Sequence, residues 1–323
     1  MLKKFVIFIL LIFCLFNFSA CSKGTYRKVG INVAILKGPT GLGMLKIIDD
    51  SEKCEINDYN VSVFNDPNNV ASRLISGEVD IATIPTNMAA MIYNKTGGDI
   101  KIAAINTLSV LYILSSDDNI KSVADLKGKT IFVSGKGTTP EYTLKYVLTQ
   151  NNLKINKDVN VEYKSNHEEL ASLAIAEKID IALLPEPFAT QVVYRNPSFK
   201  VKIDLTDEWN KVTLTDTSLP MGCIAVRRQF IKENSLQFDK FLSEYEKSVN
   251  FLNENRERAA ELSNKYNIMP KDVAFKSIPK CKVVFISGET MVKRVNEFLG
   301  ILFEFEPKSV GGKVPNEELY YKK

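Results

Sequence analysis

The sequence predicts an α/β protein of two similar lobes, each a mainly parallel sheet flanked by helices. Three observations predict it. Short β-type runs alternate with helical periods of about ten to fifteen residues, the signature of βαβ units. The chain has 323 residues, which suits two domains of ordinary size. The segment "RLISGEVDIATIPTNMAA" at 73–90 is also echoed by "LAIAEKIDIALLPEPFAT" at 173–190. Asp80 answers Asp180, Ala82 answers Ala182 and Pro85 answers Pro185; Ala71, Ser72, Ile75, Ile81 and Ala89 recur at the same offset. In open α/β sheets ligands bind beyond the carboxyl ends of strands, so residues 85–88 and 185–188 are expected at the two rims of one cleft.

The first 21 residues, "MLKKFVIFILLIFCLFNFSAC", read as a targeting segment. Lys3 and Lys4 precede an apolar run from Phe5 to Phe16, short of the about 20 residues a membrane span needs. Ser19 and Ala20 then precede Cys21, an ending that resembles a bacterial lipoprotein signal. It implies removal of residues 1–20, a lipid on Cys21 and a body held outside the cytoplasm at the membrane. An uncleaved N-terminal anchor is the alternative.

Along the body, Val29–Leu36 reads as a strand broken by Gly38-Pro39-Thr40-Gly41, after which a helix begins. A second strand follows at 60–65, then the helix "DPNNVASRLISG" with Pro67 in its first turn and Gly77 past its end. Residues 79–84 form a third strand, and 100–116 a long β-rich stretch. A short capped helix at 122–126, a strand at Thr130–Ser134, a glycine loop and a helix come next. A strand at 159–164, a helix capped by Asn166 and a strand at 179–184 complete the second pass. "FKVKIDL" and "MGCIAVRR" continue the β pattern, and from Ile231 onward the chain is mostly helical.

Composition limits function. Hydrophobic residues make up 45% and charged residues 25%, enough apolar material for packed cores. The net charge is +4, two of these charges lie in the targeting segment, and no basic run interleaves with aromatics, so nucleic acid is not an expected partner. Five cysteines occur, none with CxxC spacing, so neither a metal nor a redox motif is expected. Cys223 and Cys281, each beside a strand-like run, are the favoured disulfide pair over any using Cys54 in its polar loop. Three free or buried thiols are the alternative.

The lipoprotein-like start, "ILKGPTGLGMLKII", "GEVDIATIPTNMAA", "DLKGKTIFVSGKGTTPEYTL", "IDIALLPEPFAT" and "SVGGKVPNEELYY" together resemble the ABC-importer substrate-binding proteins. The group is the nitrate, sulfonate, taurine and thiamine-precursor binding family. The resemblance implies the two-lobed type II periplasmic-binding-protein fold, with solute trapped between the lobes and an ABC permease as partner. It implies a discontinuous first lobe at 27–114 plus 220–323 and a second at 115–219. The first crossing is then expected at 113–116 and the return near 216–221.

On that reading one wall holds Lys37, Gly38, Thr40 and Gly41, where backbone can approach a ligand and a helix start offers N–H groups. The other holds Gly135, Gly137, Thr138 and Thr139; its spacing is neither a Walker loop nor G-x-G-x-x-G, so no nucleotide or other cofactor is indicated. Thr86 and Asn87 follow one strand and Glu186 follows its counterpart. A cleft-facing Glu186 would disfavour a pure anion; a solvated carboxylate at a helix start is its alternative role. Ser109, Phe188 and Trp209 are further wall candidates, and Tyr112 a weaker one. His167, the single histidine, is read as exposed and not catalytic. The expected function is capture of a small organic solute by a monomer, with no covalent chemistry. An enzyme related to thiamine-pyrimidine synthesis, or a ligand-sensing partner of a receptor, are the alternatives; the former lacks its cysteine-rich segment here.

Overall fold

The computed structural model describes residues 28–53, 57–213 and 219–322. The targeting segment, Cys21 and Cys54 lie outside the described residues. In chain order the elements begin with β1 (Val29–Leu36), α1 (Pro39–Leu42), α2 (Leu45–Asp50), β2 (Asn57–Phe64), α3 (Pro67–Ser76), β3 (Ile81–Pro85), α4 (Thr86–Thr96) and β4 (Ile100–Leu108). Then come β5 (Leu111–Ser115), β6 (Thr130–Ser134), α5 (Thr139–Gln150), β7 (Asn160–Lys164), α6 (His167–Ile175), β8 (Ile181–Pro185), α7 (Phe188–Arg195), β9 (Lys200–Asp204) and α8 (Leu205–Thr213). The remainder is β10 (Pro220–Arg227), α9 (Arg228–Glu233), α10 (Ser235–Glu254), α11 (Arg256–Lys265), α12 (Lys271–Ser277), β11 (Val283–Ile286) and α13 (Gly288–Phe305). No helix among the described residues is long and apolar enough to cross a membrane.

The strands form two sheets, ordered β11-β4-β10-β3-β1-β2 and β7-β6-β8-β5-β9. The repeated sequence segments occupy equivalent places. β3 lies between parallel β1 and antiparallel β10, and β8 lies between parallel β6 and antiparallel β5. Beyond them, β2 pairs parallel with β1 as β7 does with β6. Ala82 and Ala182, both fully buried, sit in the parallel pairing on each side, opposite Ala34 and Phe132. Small residues there let the central strands pack closely under their helices.

Local signals act as read. Asp66 caps α3 by accepting from Asn68 N–H at 2.9 Å, and Gly77 closes it at φ 81°, a left-handed conformation that favours glycine. Asn166 caps α6 by accepting from Glu169 N–H at 2.9 Å. Ser122 and Asp125 make a reciprocal capping box.

Two expectations are corrected. The β-rich stretch at 100–116 is two strands in different sheets, so the first crossing falls at Ser109-Val110 rather than at 113–116. Both strands are almost wholly buried, so the apolar run carries no break where the chain changes lobe. The expected disulfide is absent: Cys223 and Cys281 are buried free thiols. Cys223 packs into the core that runs between the lobes, whereas Cys281 packs into the core on the other face of the first sheet, with Ile224. Alternation along β10 puts Cys223 and its neighbour Ile224 on opposite faces, and so takes Cys223 away from Cys281.

Candidate solute-binding cleft

The carboxyl ends of the central parallel strands in both sheets open onto one cleft. From the first lobe, Leu36, Lys37, Pro39 and Thr40 line it after β1, Asn65 and Pro67 after β2, and Pro85 at the end of β3. Thr107 and Met221 complete that wall. From the second lobe, Gly135, Thr138 and Pro140 follow β6; Ser165, Asn166 and His167 follow β7; Pro185 ends β8. The walls obey the hundred-residue offset seen in the sequence: Asn65 faces the cleft as Ser165 does, Pro67 as His167 and Pro85 as Pro185. The cavity between the walls is about 80 Å³, well under the roughly 300–1,000 Å³ of a typical small-molecule site. The lobes are thus closed on each other.

Three sets of contacts hold them so. Buried Asn87, at the start of α4, donates through Nδ2 to the carbonyls of Gly137 (3.1 Å) and Ser309 (3.0 Å). Its Oδ1 accepts from Thr139 Oγ1 at 3.1 Å. At the rim, Lys37 Nζ lies 3.4 Å from Glu168 Oε2, and Asn65 Nδ2 donates to the same oxygen at 3.2 Å. Away from the cleft, aromatic rings of α5 and α8 pack on α13: Tyr146 meets Phe305 at 5.4 Å and Trp209 meets Phe298 at 5.9 Å between centroids. The exposed ion pair is worth about 0–1 kcal/mol; the buried amide network, whose loss would strand carbonyls, is worth more.

The electrostatics of the walls follow from where their charges go. Lys37 is the one lining residue with a permanent side-chain charge. Glu141 turns back into its own lobe, accepting from Gly137 N–H, from Tyr163 Oη at 2.7 Å and from Lys145. These partners overcome desolvation and hold its carboxyl below the usual range. His167 Nδ1 is 2.5 Å from Ser134 Oγ, and its ring packs 5.5 Å from Phe188. Desolvation pushes the imidazole down to about 4, so it is neutral at physiological pH. Ser134 is fully buried and off the lining, so its contact with Nδ1 orients the ring from behind the wall. The walls therefore offer a lysine, a neutral imidazole, the hydroxyl of Thr40, two amides, and apolar surface rich in proline; the Ser165 hydroxyl is donated to Glu169. No carboxylate is among them.

A family model described as menaquinone biosynthesis matches residues 47–281, most of the chain. The chain belongs to this family. Over 169 residues it is 27% identical to a binding protein of Brucella abortus (strain 2308), covering 52% of this chain and 50% of that protein. The chain thus spans about half the length of the curated relatives it matches. In fold this family member resembles an ABC transporter protein of Parabacteroides distasonis, with TM-score 0.75, 24% identity and coverage of 91% and 99%. It also resembles the periplasmic aliphatic sulphonate-binding protein of Escherichia coli, with TM-score 0.73, 16% identity and coverage of 91% and 92%. The expected two-lobed periplasmic-binding-protein fold is borne out.

Of the residues the sequence nominated in this family member, Lys37, Thr40, Gly135 and Thr138 line the cleft. The others stand behind it or elsewhere. Gly38 (φ 116°) lets the chain turn against Phe188, whose ring is 3.6 Å from where a Cβ would sit. At Gly41 a Cβ would be 2.4 Å from the Leu36 carbonyl oxygen, so that glycine serves strand–helix packing. Thr86 and Ser109 are fully buried and off the cleft lining, the Thr86 hydroxyl against the Cys223 thiol. Asn87, Gly137 and Thr139 form the clasp between lobes rather than the wall. Phe188 packs in the second lobe's core, and Trp209 packs against Tyr146 and Phe298. Tyr112 also packs against the second lobe's core, half-buried and off the cleft lining. Glu186 is turned away from the cleft. Its carboxylate accepts from Thr190 N–H (3.1 Å) and Thr190 Oγ1 (3.0 Å) and borders a separate groove. Burial raises its carboxyl above the usual range. The helix starts are also less open than expected: α1 has four residues, and the Gly137 N–H is taken by Glu141. His167, read as exposed, is a half-buried wall residue. The signal that finds it is the offset itself, which maps Pro67 of the first wall onto His167 of the second.

Proposed function

We propose that this protein is a solute-binding component of an ABC importer, closing its two lobes on a small organic anion. The observation that supports this most is the composition of the cleft: both lobes contribute, Lys37 is on the lining with Glu168 as its only rim partner among the described residues, a contact that an incoming anion would displace, and the one nominated carboxylate, Glu186, points elsewhere. Apolar wall surface from Leu36, Val110, Met221 and the prolines suits a ligand with a hydrocarbon or ring body. A sulfonate or carboxylate head would take Lys37 and the hydroxyl of Thr40. Release and uptake need the lobes to part, so affinity depends on how much better the closed arrangement holds the solute. Within this proposal the first lobe comprises about 28–109 with 220–322 and the second about 110–213, following the sheets. A lipid on Cys21, an extracytoplasmic body and a permease partner also belong to it.

A second reading is an enzyme on the same scaffold, and the family description, menaquinone biosynthesis, favours it. Its chemistry would centre on His167, whose neutral imidazole is oriented by Ser134 and reaches the cleft. The solute-binding reading stands first because Ser134 is inaccessible and Lys37, the other ionisable side chain on the lining, is held at the rim by Glu168.

The test is a thermal-shift screen of small alkanesulfonates, carboxylates and ring-bearing anions, followed by product analysis of every compound that binds. A ligand at about a hundred times its Kd adds roughly 2.7 kcal/mol. Binding without turnover is the expected result. Conversion of a bound compound, lost in His167→Gln, would replace the first reading with the second.

A further inference from the structure

A second concave feature lies outside the cleft, between the lobes. Its walls are α7 and β9 of the second lobe and the start of α11 with α12 of the first. Its volume, about 550 Å³, exceeds that of the cleft cavity. Among the described residues six large hydrophobic side chains are exposed, and three of them, Tyr194 (47%), Val201 (49%) and Phe275 (36%), border this groove. Half of the exposed large hydrophobic side chains among the described residues thus border one concave place.

Cations stand among them. Arg256 stacks on Phe275 at 3.9 Å from the ring centroid and Lys276 on Tyr194 at 4.6 Å. Lys280 lines the same groove. Among the described residues none of the three forms an ion pair. The one carboxylate on the lining, Glu186, has its oxygens engaged by Thr190. Three cations against one committed carboxylate leave the groove positive.

We propose that this groove is a second binding site, for a small organic anion with an apolar body. Tyr194, Val201 and Phe275 cover the body; Lys276, Lys280 and Arg256 take the head group. An inorganic anion would leave the rings bare, and a hydrocarbon would leave the cations unpaired. The site is complete only with the lobes closed, since each wall belongs to one of them. It does not depend on what the cleft binds.

Calorimetric titration of the full chain with sodium 1-naphthoate at constant ionic strength tests this. The expected result is one saturable site, weakened at least about tenfold in Lys276→Glu/Lys280→Glu and severalfold in Tyr194→Ala. Inorganic sulfate should compete no better than chloride. Binding should persist in Thr40→Val, which alters the cleft wall without adding bulk between the lobes, and weaken severalfold in Asn87→Ala, which loosens closure. Three results would overturn the site: no saturable binding, an affinity unchanged by the double charge reversal, or loss in Thr40→Val with retention in the charge variant. Undiminished binding in Asn87→Ala would overturn its assembly from two lobes.

Discussion

The two halves of the repeated segment fold alike as far as the strand end and then part company. In the first lobe Pro85 is followed by Thr86 and Asn87, and Asn87 reaches across to bind three groups, two of them in the other lobe. In the second lobe Pro185 is followed by Glu186, which turns inward to its own helix and satisfies Thr190. A turn earlier the same happens at Pro67 and His167: one wall has a rigid apolar ring, the other an orientable imidazole. The repeat fixes architecture, because buried alternating strands admit few solutions. The residues just past each strand are free of that constraint and carry the differences in function.

The largest effect expected from this comparison is on the side of His167. Its proton affinity falls on folding because the half-buried ring, packed against Phe188, is desolvated. A depressed folded value means that stability is full above the unfolded value near 6.5 and is lost as pH falls towards about 4. The loss is on the order of 2–3 kcal/mol between pH 7 and pH 4. Urea unfolding across that range in wild type and His167→Phe should show a steeper decline in wild type; equal slopes would take His167 out of the acid response.

Asn87→Ala comes next. It leaves the buried carbonyl of Ser309 and the half-buried one of Gly137 without their donor, which costs about 1–3 kcal/mol. Because one of those carbonyls lies in the opposite lobe, solution scattering should also show a larger radius of gyration. Destabilisation without expansion would mean that the clasp does not govern closure.

Glu186→Gln should act in the opposite direction and by less. With the carboxyl raised by burial, the ionised form is the costly one in the folded state, so stability is present at low pH and declines as pH rises past the raised value. The amide keeps an acceptor for Thr190, so at neutral pH a gain of under about 1 kcal/mol is expected, with cleft ligand affinity unchanged. A large loss of affinity would return Glu186 to the cleft. Smallest is Glu168→Gln at the rim, where the exposed pair with Lys37 should yield at most about 1 kcal/mol and vanish in high salt.

How far the sequence speaks follows the same division. Strands and caps were legible because period, proline and glycine act locally: Val29–Leu36 and the capped helix after Asp66 stand as read. The lobe crossing at Ser109-Val110 was hidden because both strands are buried and the apolar run continues through it. On the walls, Lys37, Thr40, Gly135 and Thr138 are carried to the cleft lining by their glycine loops. Asn87, Glu186 and Trp209 were misplaced because a side chain's direction after a strand end depends on partners far away in sequence, such as Ser309 for Asn87. His167 was missed by reading a polar helix start as solvated rather than by carrying the repeat's offset one element further back.

The claim on which the account rests is that one cleft, shared by both lobes, holds a small organic anion. Thermal denaturation of wild type and Ser165→Trp, each with the same panel of alkanesulfonates and carboxylates, tests it most directly. The account predicts that at least one anion raises the wild-type Tm by about 5 °C at saturating concentration and leaves Ser165→Trp unmoved. An equal rise in both proteins would place the ligand outside the cleft and contradict it.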